Sequence, residues 1–144
     1  MKTKIPPRKR IVSMLDTAFS KFVRLRGARR VDTVQGGSVL INKCCTCGRW
    51  LPITQMDAGH YISRGKYPTR WSEDNVHPQC KQCNIFMHGN YTQYALYMIR
   101  TYGYSKLSGL DRRSKQSTKV STVELYEKVQ YYKDKAKAIE GSLR

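Results

Sequence analysis

The sequence predicts an α+β fold in which a small zinc-stabilised ββα core is flanked by α-helices, and three observations carry that prediction. Two Cys-x-x-Cys pairs, Cys44/Cys47 and Cys80/Cys83, stand at the spacing of a zinc site. The stretch enclosing them, 44–90, is dense in Cys, Gly, His, Pro and Asn, which suits a metal-organised unit better than a hydrophobic core. Apolar residues at helical spacing lie on either side of it. With 144 residues the chain has the length of one ordinary domain, enough to bury a core without a disulfide framework.

The elements follow in order. Residues 1–10 are basic and carry Pro6-Pro7, so they read as a flexible arm ahead of a single domain, 11–144. Ile11, Met14, Leu15, Ala18, Phe19, Phe22 and Val23 predict an amphipathic helix over 11–26, stopped at Gly27. Gly36-Gly37 marks a turn, and 38–42 reads as a short strand entering the first cysteine pair. The zinc and ββα core spans 40–103. Inside it Asn90 is expected to cap a helix carrying Tyr91, Tyr94, Ala95, Met98 and Ile99, which Gly103 ends in the left-handed conformation. Residues 106–119 are polar and basic and read as a loop. Ser121 with Glu124 makes a capping box for a last helix, 121–140, whose Leu125, Val129, Tyr132, Ala136 and Ile139 form one packed face.

A balance of 27 Lys and Arg against 10 Asp and Glu, a net charge of +17, points to a polyanionic partner. Nucleic acid fits, because each phosphate neutralised by Lys or Arg releases a counterion. No apolar run approaches the length that crosses a bilayer, and the basic start is not followed by a signal-peptide core, so a cytoplasmic protein with no membrane partner is expected. Five cysteines in a reducing compartment favour metal over disulfides.

Each cysteine pair can aim two thiolates at one ion, and two pairs close a four-thiolate zinc site. Such a site has no open coordination position, so the zinc is structural and any chemistry must come from elsewhere. Cys45, between the ligands of the first pair, should point away from the metal as a spare thiol. Between the pairs lie Asp57, His60, Arg64, Lys66, Arg70, Asn75 and His77, and Asn84 follows directly on Cys83. Phosphodiester hydrolysis needs a Lewis acid on the phosphate and a base to activate water. Asp57 and Asn84 are hard oxygen ligands suited to Mg²⁺ or Mn²⁺, and His60 supplies an imidazole of suitable pKa.

Asp-x-x-His between two Cys-x-x-Cys pairs, with Asn after the last Cys, resembles the ββα-metal (HNH, His-Me finger) site of phage endonuclease VII, a junction-resolving enzyme. CTCG, MDAGHYISRGK, DNVHPQCKQCN and the GN of HGN resemble the phage lambda NinG (Rap) recombination nuclease family more closely, with 44–90 carrying the match. FSKFVRLR is similar to the segment preceding the zinc pair in that family. The resemblance implies a structure-selective DNA endonuclease of phage recombination, cleaving branched DNA such as Holliday junctions or D-loops in a phage-infected or prophage-bearing bacterium. It makes Asp57 and Asn84 the ligands of the catalytic divalent ion, His60 the general base, and Asn75 the residue that holds the loop and the base. Asp and His stand three apart here, and Asn ends the motif, which departs from many HNH enzymes and agrees with the endonuclease VII variant.

Plainer readings stand beside these. His60 can be structural, Asp57 can cap a turn before Gly59, and Asn84 can be an N-cap. His77, before Pro78, suits a hydrogen-bonding role, and His88 a solvated or phosphate-contacting one. Arg64, Lys66 and Arg70 are placed to grip DNA phosphates, or form a solvated loop. Tyr91, Tyr94, Tyr97 and Tyr102 can stack on unpaired bases but more often pack a core. Symmetrical junction resolution needs two active sites, which makes a homodimer an expectation. The rival functions are an HNH nuclease cutting linear duplex and a non-catalytic zinc ribbon that only binds nucleic acid. The last of these expects Asp57 and Asn84 to be too far apart to share an ion.

Overall fold

Helix α1 (Arg8–Leu25) begins at Pro7, whose fixed φ suits a helix entrance and whose carbonyl accepts from the amides of Arg10 and Ile11. The structure, a computed structural model, describes residues 3–143; Met1 and Lys2 of the expected arm, and Arg144, lie outside them. The helix thus starts three residues before the predicted 11. The Arg8 guanidinium also donates to the Val120 carbonyl at 2.8 Å, so the end of the arm is fastened to the domain. Arg26 caps the helix, and Gly27 turns the chain away with φ +82°.

α1 buries Ile11, Leu15, Ala18, Phe19, Phe22 and Val23 against helix α5 (Thr122–Ser142). From α5 come Leu125, Val129, Tyr132 and Ala136, the face predicted from its periodicity, with Ile139 at its edge. Phe19 meets Tyr132 edge-on at 4.8 Å between ring centroids. The capping box forms as the sequence requires: the Glu124 amide donates to Ser121 Oγ, and the Ser121 amide donates to the Glu124 carboxylate.

Two small antiparallel sheets separate these helices in sequence. β1 (Arg29–Asp32), β2 (Ser38–Lys43) and β3 (Trp50–Pro52) make the first, in that order. β2 is the predicted strand; β1 has no signal in the sequence, because Arg29-Arg30-Val31-Asp32 lacks apolar alternation and is exposed along almost its whole length. β4 (Met56–His60) and β5 (Val76–Cys80) make the second, with Met56 opposite Cys80 and Gly59 opposite His77. Every residue of β5 is buried, and Val76 joins the α1–α5 core. Between them, a loop carries the short helix α2 (Tyr67–Arg70).

After β5 the chain makes a wide turn, Gln82–Phe86, in which the Met87 amide reaches back five residues to the Gln82 carbonyl. Helix α3 (Tyr91–Tyr102) follows, and Gly103, at φ +81°, breaks it from α4 (Tyr104–Ser114). Gly103 ends α3 as expected in position, but its ψ of 163° is extended instead of left-handed helical. Two other expectations fail here. Of the expected loop 106–119 only 115–119 is one: α4 runs to Ser114, pinned by Leu110 in a cluster with Tyr94 and Met98. Asn90 makes no side-chain cap; its backbone takes φ +47° and its Nδ2 donates to Cys83 Sγ at 3.6 Å, a partner that draws it off the helix end. Among the described residues no helix is long and apolar enough to cross a membrane.

Candidate functional site

Cys44 and Cys47 stand on the turn between β2 and β3, and Cys80 and Cys83 where β5 passes into the wide turn. Their four sulfurs all lie within 4.8 Å of one another, and Cys47 Sγ is 3.8 Å from Cys80 Sγ. Four thiolates about 2.3 Å from a tetrahedral zinc are separated by roughly that distance, so the cluster is consistent with structural zinc. Three of the four are buried and Cys47 is exposed. N–H groups converge on the sulfurs from the Cys80 amide to Cys44, from Arg49 to Cys80 and from Asn90 to Cys83. Against the penalty of burial, the backbone N–H groups and the Thr46 hydroxyl pull the Cys44 thiol down to about 6, which favours the metal-binding thiolate. Cys45 faces the other way, into the Tyr94 cluster, where burial pushes its thiol well above the ordinary range.

Strand pairing carries the zinc cluster's order to Asp57 and His60. Met56, beside Asp57, pairs with Cys80, and the Cys45 amide donates to the Pro78 carbonyl. Gly59 has to be glycine for a packing reason: a Cβ there would collide with the fully buried Gln79 side chain. Gln79 Nε2 donates to Thr46 and to the Gly89 carbonyl, while its Oε1 is buried without a partner.

Asp57, His60 and Asn84 line one cavity of 400 Å³ together with Asp16, Arg64 and His88. Asn84 Nδ2 donates to Asp57 Oδ2 at 3.0 Å, so these two side chains share a point, as an oxygen-ligated ion would require. The Asn84 amide is neither at a helix start nor acting as a cap; it sits inside the wide turn and spends its donor on Asp57. Lys81 Nζ lies 2.6 Å from the other Asp57 oxygen. Two positive or donor groups thus converge on this one carboxylate, where a divalent cation would be attracted for the same electrostatic reason. Asp and Asn side chains are a hard oxygen set that fits Mg²⁺ or Mn²⁺.

A hydrogen bond at Nε2 orients the His60 ring. Its Nε2 stands 2.8 Å from the Arg70 carbonyl, which can only accept, so Nε2 carries the proton and Nδ1 keeps a lone pair. Burial, reinforced by the nearby Arg64 charge, lowers its pKa, and the Arg70 carbonyl partly opposes this. Neutral imidazole with a free Nδ1 is the form that can accept a proton. Asn75, completely buried, keeps the loop beyond His60 in place: Oδ1 accepts from the Ile62 amide at 2.8 Å, and Nδ2 donates to the Ile62 and Thr69 carbonyls at 3.0 Å.

Sequence reasoning missed Asp16. Its Oδ1 accepts from Arg70 Nε and Trp71 Nε1, and its Oδ2 from Arg70 Nη2 at 2.6 Å and Arg64 Nη2 at 3.1 Å. Burial works to raise its pKa, but the Arg70 and Trp71 hydrogen bonds and both arginine charges hold the carboxyl below its ordinary value. Arg70 therefore turns its guanidinium onto α1, and its carbonyl onto His60. Arg64 is also paired with Asp16 but stays largely exposed, and Lys66 is exposed at the start of α2. No local pattern marks Asp16, because its partners lie 48 to 55 residues away.

His77 belongs to a buried relay on the other side of Gly59. The Tyr94 hydroxyl donates to the Gly59 carbonyl at 2.6 Å, so it accepts from His77 Nδ1; Nε2 then accepts from the Tyr102 hydroxyl at 2.7 Å. Tyr94 is fully buried, and Tyr97 packs edge-on against His77, which leaves Tyr91 as the exposed member of the predicted stripe.

A family model described as Bacteriophage Lambda NinG protein matches residues 1–141. Curated relatives include the NinG protein of Salmonella phage P22, 34% identical over 74 residues covering 51% of this chain and 36% of the relative. That of Escherichia phage lambda is 35% identical over 69 residues, 47% of this chain and 33% of the relative. With the NinG protein of Enterobacteria phage H19B the identity is 27% over 111 residues, 76% of this chain and 49% of the relative. The chain thus spans a third to a half of the length of the relatives it matches. No solved structure matches.

Proposed function

Because this chain belongs to the bacteriophage lambda NinG family, we propose that it is a metal-dependent endonuclease of the HNH (His-Me finger) type, hydrolysing phosphodiester bonds in branched DNA. The observation that carries the reading is the meeting of Asp57, Asn84 and His60 in one cavity, with the first two 3.0 Å apart. A zinc ribbon that only binds nucleic acid has no use for a carboxylate and a carboxamide so placed, beside an imidazole with a free Nδ1. In this reading β4, β5 and the wide turn after them form the ββα-metal core.

A divalent ion bound by Asp57 and Asn84 would neutralise charge on the scissile phosphate and stabilise the leaving 3′ oxygen. Asn84 would hold the ion through its amide oxygen, in place of the Nδ2 that now donates to Asp57, and the ion would compete with Lys81 for the Asp57 carboxylate. His60 Nδ1 takes a proton from water; the water oxygen bonds to phosphorus as the bond to the 3′ oxygen breaks, and that oxygen is then protonated from solvent. Throughout, Nε2–H stays on the Arg70 carbonyl, which keeps the ring aimed. Asn75 holds the loop that supplies this carbonyl.

Arg64 and Lys66, at the exposed rim, would contact phosphates, and the net charge of +17 would draw DNA in from any direction. Arg70 contributes mainly through Asp16 and His60. A structural zinc held by Cys44, Cys47, Cys80 and Cys83 would tie the strand bearing Asp57 to the turn bearing Asn84 and, with four thiolates around it, would take no part in cutting. His60→Ala tests the assignment. Cleavage of a four-way junction should be lost at matched salt with Mg²⁺ or Mn²⁺, while zinc content and junction binding remain; a variant that still cuts would remove His60 as the base. A linear duplex of equal length in the same assay separates branch selectivity from general HNH cleavage.

A further inference from the structure

A second cavity, of 630 Å³, opens beside the one that holds Asp57 and His60, and Tyr91 lines both. Its apolar walls include Tyr61, Ile62 and Leu107. At its rim Tyr91 and Tyr104 are 54% and 79% exposed, and among the described residues neither ring stacks on another aromatic ring. Thr92, Ser108 and Asp111 bring hydroxyls and a carboxylate to the same space. Asp111 is paired with Lys115 at 2.9 Å, so the carboxylate is compensated.

Exposed tyrosines around an apolar cleft with a few polar groups suit a flat, partly polar ring. Continuity with the Asp57–His60 cavity and the strongly positive charge of the chain select the kind of ring: a nucleobase, on a strand whose phosphates face that cavity. A base inside a duplex cannot enter, because both its faces are already stacked. We propose that this cleft accepts one unpaired nucleobase of a DNA strand, stacked on Tyr91 and Tyr104, next to the phosphodiester presented to Asp57 and Asn84. The proposal rests on the nuclease reading for the placing of the strand, and it supplies a physical source of preference for branched over paired DNA. Base–aromatic stacking is worth roughly fivefold to a hundredfold in affinity.

The test is equilibrium binding of the zinc-loaded full chain, without added Mg²⁺ or Mn²⁺, to two DNA duplexes. One carries a single bulged 2-aminopurine; the other has the same base paired. The wild-type chain should prefer the bulged duplex and quench its 2-aminopurine fluorescence. Tyr104→Ala should remove most of the quenching and cut the preference about tenfold, and Tyr104→Trp should restore both. Tyr104 is exposed, and an unchanged melting curve checks that the variant folds. No preference in the wild type, or a preference untouched by Tyr104→Ala, overturns the proposal. So does a change of mass in solution on Tyr104→Ala without a change in preference, which would make the surface a contact between copies of the chain. The readout needs no cleavage: a chain that quenches but never cuts sinks the nuclease reading and spares the cleft, and one that cuts without the preference does the reverse.

Discussion

His60 and His77 stand across the same pair of strands, and burial lowers the pKa of both, yet their partners give them opposite work. His60 has one nitrogen on a carbonyl and one free; His77 has both nitrogens on tyrosine hydroxyls and is held neutral down to about 3. For His77 the stability consequence follows from the sign of the shift. Below the ordinary value of 6.5 an unfolded chain takes up a proton that the folded chain refuses until about 3. Stability is therefore lost as pH falls through that window, by up to about 1.4 kcal/mol per pH unit. Urea unfolding at several pH values between 6.5 and 4 should show a shallower loss in His77→Gln than in the wild type. Taking the difference of the two slopes cancels every group that the two chains share. Equal slopes would show that His77 is protonated without cost. In the sequence both histidines are marked by their neighbours alone, Asp-x-x-His for one and a following proline for the other. Asp16 had no such neighbours, and only the fold brings it to Arg70.

The β4–β5 hairpin concentrates most of the site's geometry in ten residues, and one of its contacts has no slack. Gly59→Ala drives a methyl group into Gln79, which is fully buried and already has one oxygen without a partner. A cost of roughly 1–3 kcal/mol is expected from such overpacking, read as a lower denaturation midpoint. Adding Gln79→Ala should recover much of it, because the clash has then lost its second member; full additivity of the two losses would count against this contact. Elements with local chemical signatures were legible in the sequence: the cysteine knuckles from ligand spacing, α5 from its capping box, α1 from its periodicity. α4 was not, because Leu107 and Leu110 are its main apolar anchors in a run of Ser, Lys, Arg and Gly. The Asn90 cap failed for a different reason, since a sulfur atom competed for the side chain.

At the scale of the molecule, three buried clusters do separate jobs: α1 with α5, the zinc cysteines with Met56, and Tyr94 with Met98 and Leu110. Of the three, the second is the one whose cysteines are arranged to hold a metal. Chelating the zinc should therefore release the cysteine knuckles and with them Asp57 and Asn84, while α1 and α5 stay paired. Hydrogen exchange read segment by segment would show protection lost near 44–60 and 76–90 and kept in both helices; loss everywhere at once would mean the zinc holds the whole fold. The α1–α5 pairing has its own consequence for how the molecule is made. The contact of Arg8 with Val120 closes 112 residues of chain. Such long-range pairings form late, because ordering so long a loop comes before any contact rewards it. A ribosome emits α1 before both sheets and α5 after them. Phe19 and Phe22 therefore remain bare while the middle of the chain is translated, and the speed of that translation sets how long a chaperone has to cover them.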